Sequence, residues 1–311
     1  MSALTQKFLL KLIVNLNPRL IIVAPNRQWA LIAGPLLAIA VAAGMNQSGW
    51  EGQACWTGAV AILCVVWWIF EPIPIPATAI IPLAIFPLTG VLPQEKIAAA
   101  YGSELILLML GGFILSAAME RSGAHRRIAL GMVNVIGGTS SRRIVLGFMA
   151  ATAALSMWIS NTATVLMMLP IALAVIAQSP DKQLALPLLL AIAYGSSIGG
   201  LGTPIGTPPN LVFMQQYESF TGSAVSFSQW MSWGLPVVVI FLPLAGLWLT
   251  RKLDYCGELV IPPAGDWRPE ERRVLIIFGL TALAWVTRLE PFGGWSTWMG
   301  LKGANDAIVA L

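Results

Sequence analysis

Charge is what this chain has least of. Asp, Glu, Lys and Arg make up 10% of its 311 residues, against 57% hydrophobic residues and a mean hydropathy of +0.77. A soluble protein of this length needs far more charge to cover its surface, so the composition is that of an integral membrane protein. Uncharged runs near twenty residues fit helical spans, whereas barrel strands alternate over about ten. Histidine occurs once, at His125, in a basic and less apolar stretch where it reads as an interfacial surface residue. The three cysteines, Cys55, Cys64 and Cys256, have no metal or redox spacing and read as packing residues. No signal-peptide cleavage pattern is present at the N-terminus; its basic start precedes a first span expected to stay in the membrane. The net charge of +4 carries no nucleic-acid meaning here, and the thirteen tryptophans suit interfacial belts and packing.

What is there divides the chain into segments. Residues 1–28 carry Lys7, Lys11, Arg19 and Arg27 with no acid, as expected of a cytoplasmic amphipathic segment. Residues 29–119 read as four helices, at 29–45, 54–70, 77–92 and 104–119, with Glu71-Pro-Ile-Pro-Ile-Pro76 as a stiff turn. Residues 120–143 form a basic linker along the cytoplasmic surface, and residues 144–180 enter the membrane and return. Residues 183–252 hold a broken fifth helix, an outside loop at 218–229 and a sixth helix at 230–250. A polar cytoplasmic linker at 253–273 precedes a seventh helix at 274–287 within the last segment, 274–311. On this topology fifteen of the eighteen basic residues lie inside, leaving Lys96, Arg288 and Lys302 outside. That bias supports an inside N-terminus. The fold class expected is all-α, polytopic and membrane-embedded.

Two polar interruptions stand out in this apolar background. Ser160, Asn161 and Thr162 are consecutive at the midpoint of the 37-residue uncharged run 144–180. Two complete helices and a turn want roughly 40 residues or more, so a re-entrant hairpin with its tip near the midplane is favoured. Polar groups at that depth need partners, and their ordinary meaning is a functional site. The second interruption is Gly199-Gly-Leu-Gly-Thr-Pro-Ile-Gly-Thr-Pro-Pro-Asn210, in the uncharged run 184–217. One half-helix is expected to end near 199–202, and another to start at Pro208 or Pro209. Unwound backbone at membrane depth is tolerated where it is buried or lines a cavity. Ser160, Asn161 and Thr162 fall at helix N-cap positions, and Thr207 places a hydroxyl before helix-starting prolines. Two helix N-termini converging on one place favour an anion, and the carbonyls freed nearby are hard oxygen ligands for a small cation. Many secondary transporters build their sites this way.

Plainer readings exist for parts of the pattern. A lone serine such as Ser156 ordinarily bonds back to the carbonyl one turn earlier. Gly199, Gly200 and Gly202 would permit close helix contact. Neither accounts for three polar residues in a row, or for the Thr-Pro-Pro-Asn that follows the glycines. An intramembrane hydrolase needs a base beside its serine. The hairpin and the broken helix hold no His, Asp, Glu or Lys, so an enzyme is not expected.

Ser-Asn-Thr in a hairpin, followed by Ser-Ile-Gly-Gly-x-Gly-Thr-x-x-Gly-Thr-Pro-Pro-Asn in a broken helix, resembles the divalent anion:sodium symporter family. The resemblance runs from about residue 25 to the end. It implies an inverted-repeat secondary transporter of the inner membrane, dimeric when full length. Its substrate would be a C4-dicarboxylate such as succinate, malate or fumarate, with sulfate or citrate as alternatives, and sodium would be the co-transported ion. By resemblance, Ser156, Ser160, Asn161 and Gly206 belong to a sodium site, and Ser160, Asn161, Thr162, Thr207 and Pro208 face the substrate. The family has two inverted repeats, each with its own Ser-Asn-Thr. This sequence has one, and Asn305-Asp306-Ala-Ile-Val resembles the lead-in to the second hairpin. The expectation is a chain truncated after about seven membrane segments, supplying half of the site and not transporting by itself.

Overall fold

The computed structural model describes residues 28–137, 140–253, 265–289, 293–301 and 303–311, and its regular secondary structure is helical. The expected N-terminal amphipathic segment (1–28) lies outside those residues, except for Gln28. Cys256 and much of the 253–273 linker lie outside them too. The helices form two compact units divided after Gly102. Among the described residues, five helical stretches are long and apolar enough to cross a membrane.

The first unit holds α1 (Trp29–Gln47), α2 (Gly52–Phe70), α3 (Ile75–Ala79), α4 (Ile81–Leu88) and α5 (Gln94–Tyr101). Helices α1 and α2 pack as a pair, with the Trp67 indole N–H donating to the Ala30 carbonyl at 2.9 Å. Gly34 lets that ring in, since a Cβ there would lie 2.5 Å from the indole nitrogen. The third span expected at 77–92 is not one helix. It is split at Ile80 into α3 and α4, neither long enough to span. The physical reason is Pro82, which has no N–H to give to the carbonyl four residues back, at Thr78.

The second unit holds α6 (Glu104–Ser122), α7 (Ala124–Gly137), α8 (Ser141–Ser156), α9 (Asn161–Gln178) and α10 (Ala185–Gly199). It continues with α11 (Pro208–Thr221), α12 (Phe227–Thr250), α13 (Pro269–Val286), α14 (Gly294–Trp298) and α15 (Asp306–Ala310). Helix α8 is the centre of this unit: eleven of its sixteen residues are buried. It packs between α7 and α10. The α8–α10 contact is close because Gly195 and Gly199 lie on the Met149 and Ala153 backbone, where a Cβ would overlap it. The basic linker 120–143 is therefore not merely a surface strip. Most of it is helix α7, whose Ala124, Ala129, Leu130 and Val133 are buried in the core around α8. His125 within it is half-buried, with Nδ1 2.8 Å from the Met119 carbonyl oxygen.

Length explains where α8 and α10 stop. At 1.5 Å per residue, their 16 and 15 residues reach only about 22–24 Å, short of a ~30 Å hydrocarbon layer. Helix α12, with 24 residues, is long enough to cross. The loop expected at 218–229 is narrower than expected: α11 runs to Thr221, Gly222 ends it in the left-handed conformation, and α12 begins at Phe227.

Candidate binding site at two helix breaks

The first break separates α8 from α9 at residues 157–160. Met157 and Trp158 tighten the end of α8 by donating to the Ala153 and Leu155 carbonyls, at 3.2 and 3.0 Å. Among the described residues no hydrogen bond reaches the Ser156 carbonyl. Ser160 is the N-cap of α9, its hydroxyl oxygen accepting from the Ala163 N–H at 3.2 Å. Asn161 and Thr162 are the first two residues of that helix, so the expected cap falls on Ser160 alone.

The second break runs from Gly200 to Thr207, between α10 and α11. Asn210 holds it shut: its side-chain N–H group donates to the Gly200 and Thr203 carbonyls, each at 2.8 Å. Pro208 and Pro209 start α11 as expected, but Thr207 does not cap it with its hydroxyl. The prolines explain this. They remove the first two N–H groups of the helix, and the third, that of Asn210, donates to the Thr207 carbonyl at 3.1 Å.

The two breaks are knitted together. Ser156, fully buried, donates its hydroxyl to the Asn161 side-chain oxygen at 2.5 Å, rather than back to its own helix. The Thr203 hydroxyl donates to the Met157 carbonyl, across from one break to the other. Gly200 lies on the Asn161 amide, where a Cβ would be 2.7 Å from its oxygen. At Gly206 a Cβ would be 2.5 Å from the Gly200 carbonyl oxygen and 3.0 Å from that of Ser156. Only glycine fits at Gly206, against backbone, whereas a Cβ at Gly200 would push the Asn161 amide aside. Carbonyl oxygens of Ser156 and Gly200, one from each break, thus lie together at Gly206, and the Asn161 amide oxygen lies against Gly200.

Of the residues singled out in the sequence, Ser156 meets Asn161 through its hydroxyl and Gly206 through its carbonyl in this knot. Ser160 and Thr207 are half-buried at its edge, and Thr162 and Pro208 are exposed. Thr162 makes no hydrogen bond to the knot among the described residues. Three contributors were not expected as site residues: Gly200, read only as permitting close helix contact, and Thr203 and Asn210. Their signal was their place in the Gly-Thr-Pro stretch, which does not say which of them clasps. One turn into α9, the Thr164 hydroxyl is buried and finds no partner among the described residues.

Charge in this unit sits elsewhere. Arg127 pairs with buried Glu271 at 2.8 Å and covers the Trp267 ring at 4.5 Å. The Glu271 carboxyl is held below the usual carboxylate range, first by the Arg268 backbone N–H at 3.0 Å and then by Arg127. Arg288, expected as a loop charge, is instead mostly buried against Asp306 at 2.6 Å. The second Asp306 oxygen accepts the first N–H of α12, from Phe227, at 3.0 Å.

Several membrane-length apolar helices make this a multi-pass membrane protein, and two interrupted helices meeting at neutral oxygens are a feature that many secondary carriers share. A family model described as citrate transporter matches residues 65–309. The chain is 39% identical over 301 residues to the sodium-dependent dicarboxylate transporter SdcS of Staphylococcus aureus (strain bovine RF122 / ET3-1), covering 89% of this chain and 58% of that relative. It is 39% identical over 281 residues to SdcS of Staphylococcus saprophyticus, covering 83% and 54%. The chain belongs to the divalent anion:sodium symporter family. It spans a little more than half the length of these curated relatives.

Proposed function

We propose that this chain contributes to sodium-coupled symport of a divalent anion, a C4-dicarboxylate such as succinate, malate or fumarate, by alternating access. The carrying observation is the knot itself, in which the Ser156 and Gly200 carbonyls lie at Gly206, and the Asn161 amide, bonded to the Ser156 hydroxyl, lies at Gly200. These are neutral oxygens, the ligand type that suits a desolvated sodium ion. In this reading Ser156, Ser160, Asn161 and Gly206 hold sodium, and Ser160, Asn161, Thr162, Thr207 and Pro208 meet the anion. The order of burial supports that division, since Ser156 and Gly206 are buried while Thr162 and Pro208 are open. The names of the relatives support a dicarboxylate, and the family model's description keeps citrate as a second candidate.

Helix α9 presents its N-terminus with the Ser160 hydroxyl at the rim, where its dipole favours a carboxylate. Helix α11 adds its dipole and the uncommitted Thr207 hydroxyl. The breaks supply one side of the anion site, with a second inverted repeat supplying the other. The hairpin of α8 and α9 is re-entrant, and alternating access moves it with the broken helix against a scaffold. Orientation follows the charge bias, with the N-terminus inside, the location an inner membrane and the assembled state a homodimer. Cysteines at Gln47 and Ala224 then react with an impermeant thiol reagent from outside, and one at Gly265 only from inside; the reverse pattern sinks the orientation.

The deciding experiment is uptake of labelled succinate into proteoliposomes in sodium against choline, with sulfate and citrate as competitors. It uses this chain and a version extended with a second repeat from a relative. Sodium-driven uptake by the extended protein, lost on Asn161→Ala, supports the reading. Uptake indifferent to sodium overturns it.

A further inference from the structure

A groove in the second unit lies at the opposite end of α10 from the second helix break. It runs between the start of α10 and the end of α12, encloses about 460 Å³, and has a floor that includes Leu186, Leu190 and Trp248. The floor is open: Leu186 is 68% exposed and Trp248 56%. One end carries Lys182, Arg251 and Lys252, all three exposed. The Arg251 guanidinium lies 4.8 Å from the Trp248 ring centroid, which fixes one cation over the apolar floor.

Nothing among the described residues neutralises this end. No carboxylate there comes within ion-pair distance of the three bases. Asp181, the acid next to Lys182, is engaged by the Ser141 hydroxyl at 2.6 Å and the Gln183 N–H at 2.9 Å. Depth follows from α12. Its 24 mostly apolar residues extend about 36 Å, enough to cross a ~30 Å hydrocarbon layer, and Arg251 and Lys252 follow its last residue. The bases therefore sit at headgroup level, with the open apolar floor beneath them at acyl-chain depth. Interhelical grooves with basic ends recognise anionic lipid headgroups.

We propose that this groove is a binding site for an anionic phospholipid, with an acyl chain on Leu186, Leu190 and Trp248 and the phosphate between Lys182, Arg251 and Lys252. A soluble partner fits less well, because the floor lies below the headgroups. A free phosphate uses the bases but leaves the floor bare. The inference stands apart from the transport reading and does not depend on it.

The test is binding of fluorescent phosphatidylglycerol to the delipidated protein in an uncharged detergent, beside phosphatidylcholine and inorganic phosphate. Phosphatidylglycerol is expected to bind at least tenfold tighter than phosphatidylcholine. Lys182→Gln/Arg251→Gln/Lys252→Gln is expected to weaken it roughly 100-fold, since each base near an anionic surface is worth about fivefold. A control that removes three exposed bases elsewhere, Arg121→Gln/Arg126→Gln/Arg272→Gln, is expected to change it less than threefold. Wild-type affinity in the first variant, or an equal loss in the control, overturns the proposal. Displacement of the lipid by millimolar inorganic phosphate overturns it in favour of a free-anion site. If the first variant does not fold, the wild-type preference between the two lipids decides: equal binding overturns the proposal and a tenfold preference supports it.

Discussion

Asn161→Ala separates a binding site from a packing motif. In the folded protein the Asn161 side-chain oxygen accepts the hydroxyl of Ser156, which has no exposed surface. Truncation strands that hydroxyl, and a buried donor left without a partner costs about 1–3 kcal/mol. In sodium-free medium the variant should therefore lose stability on that scale. Ser156→Ala removes the stranded group, so the double variant should be less destabilised than the sum of the singles. If sodium lies against the same oxygen, the loss of a ligand of similar worth raises the sodium concentration for half-activation by roughly 5- to 150-fold, at tenfold per 1.4 kcal/mol. Leu166→Ala is the control: Leu166 is 63% exposed on the same helix, and its change should stay within about 0.5 kcal/mol. Melting curves in sodium and in choline, run on all four variants, give both readouts. A sodium midpoint that does not move in Asn161→Ala, or moves equally in Leu166→Ala, refutes the site and leaves only packing.

Other regions make separate predictions. Asp306→Ala leaves Arg288 buried without its partner and the first N–H of α12 without an acceptor, and should destabilise by about 3–5 kcal/mol. Adding Arg288→Met should recover much of that in denaturant titrations, and strict additivity would contradict the pairing. Because folding lowers the Glu271 pKa, its stabilising effect is fully present above the ordinary carboxylate value. It is lost as pH falls through the lowered one. Melting temperatures of wild type and Glu271→Gln should therefore differ most near neutral pH and converge in acid, and a constant gap from pH 7 to 3 excludes this. Thr164→Val removes a buried hydroxyl that no group among the described residues partners, so melting in sodium-free detergent should be unchanged or higher. A fall of several degrees would reveal a partner for it.

The legible parts of this fold were those written locally. Ser160 caps α9 because a hydroxyl precedes an apolar run, and the Gly–Pro stretch from 199 to 210 breaks the next helix by removing side chains and N–H groups. The same local rule, applied only to hydropathy, missed the split at Ile80: the run stays apolar through Pro82, and only the missing N–H marks the break. Thr207 is the N-cap residue as its place before the prolines implies, but its hydroxyl makes no cap bond, and the first helical N–H, that of Asn210, goes to its carbonyl instead. What sequence order hides is long-range pairing. Arg127 and Glu271 are 144 residues apart, and nothing local in either signals the other. A count of loop charges takes Arg288 as a solvated base, whereas the fold buries it against Asp306.

The absence of charge at the knot bears on coupling in the proposed mechanism. Ser156, Asn161, Gly200 and Gly206 offer only dipoles, so a dianion at the rim meets no fixed cation in this set. A sodium ion on those oxygens supplies one. Two unit charges about 4 Å apart interact by about 4 kcal/mol at an effective dielectric of 20. That is near a thousandfold in affinity. The geometry also sets an order, because the buried oxygens around Gly206 lie beneath the exposed Thr162 and Pro208. An ion bound there enters before the anion covers the rim and leaves after it. Succinate binding to a protein carrying both repeats, measured by calorimetry, should thus be about a thousandfold weaker in choline than in saturating sodium. Equal affinity in the two media would place the compensating charge elsewhere and remove the knot from the coupling step.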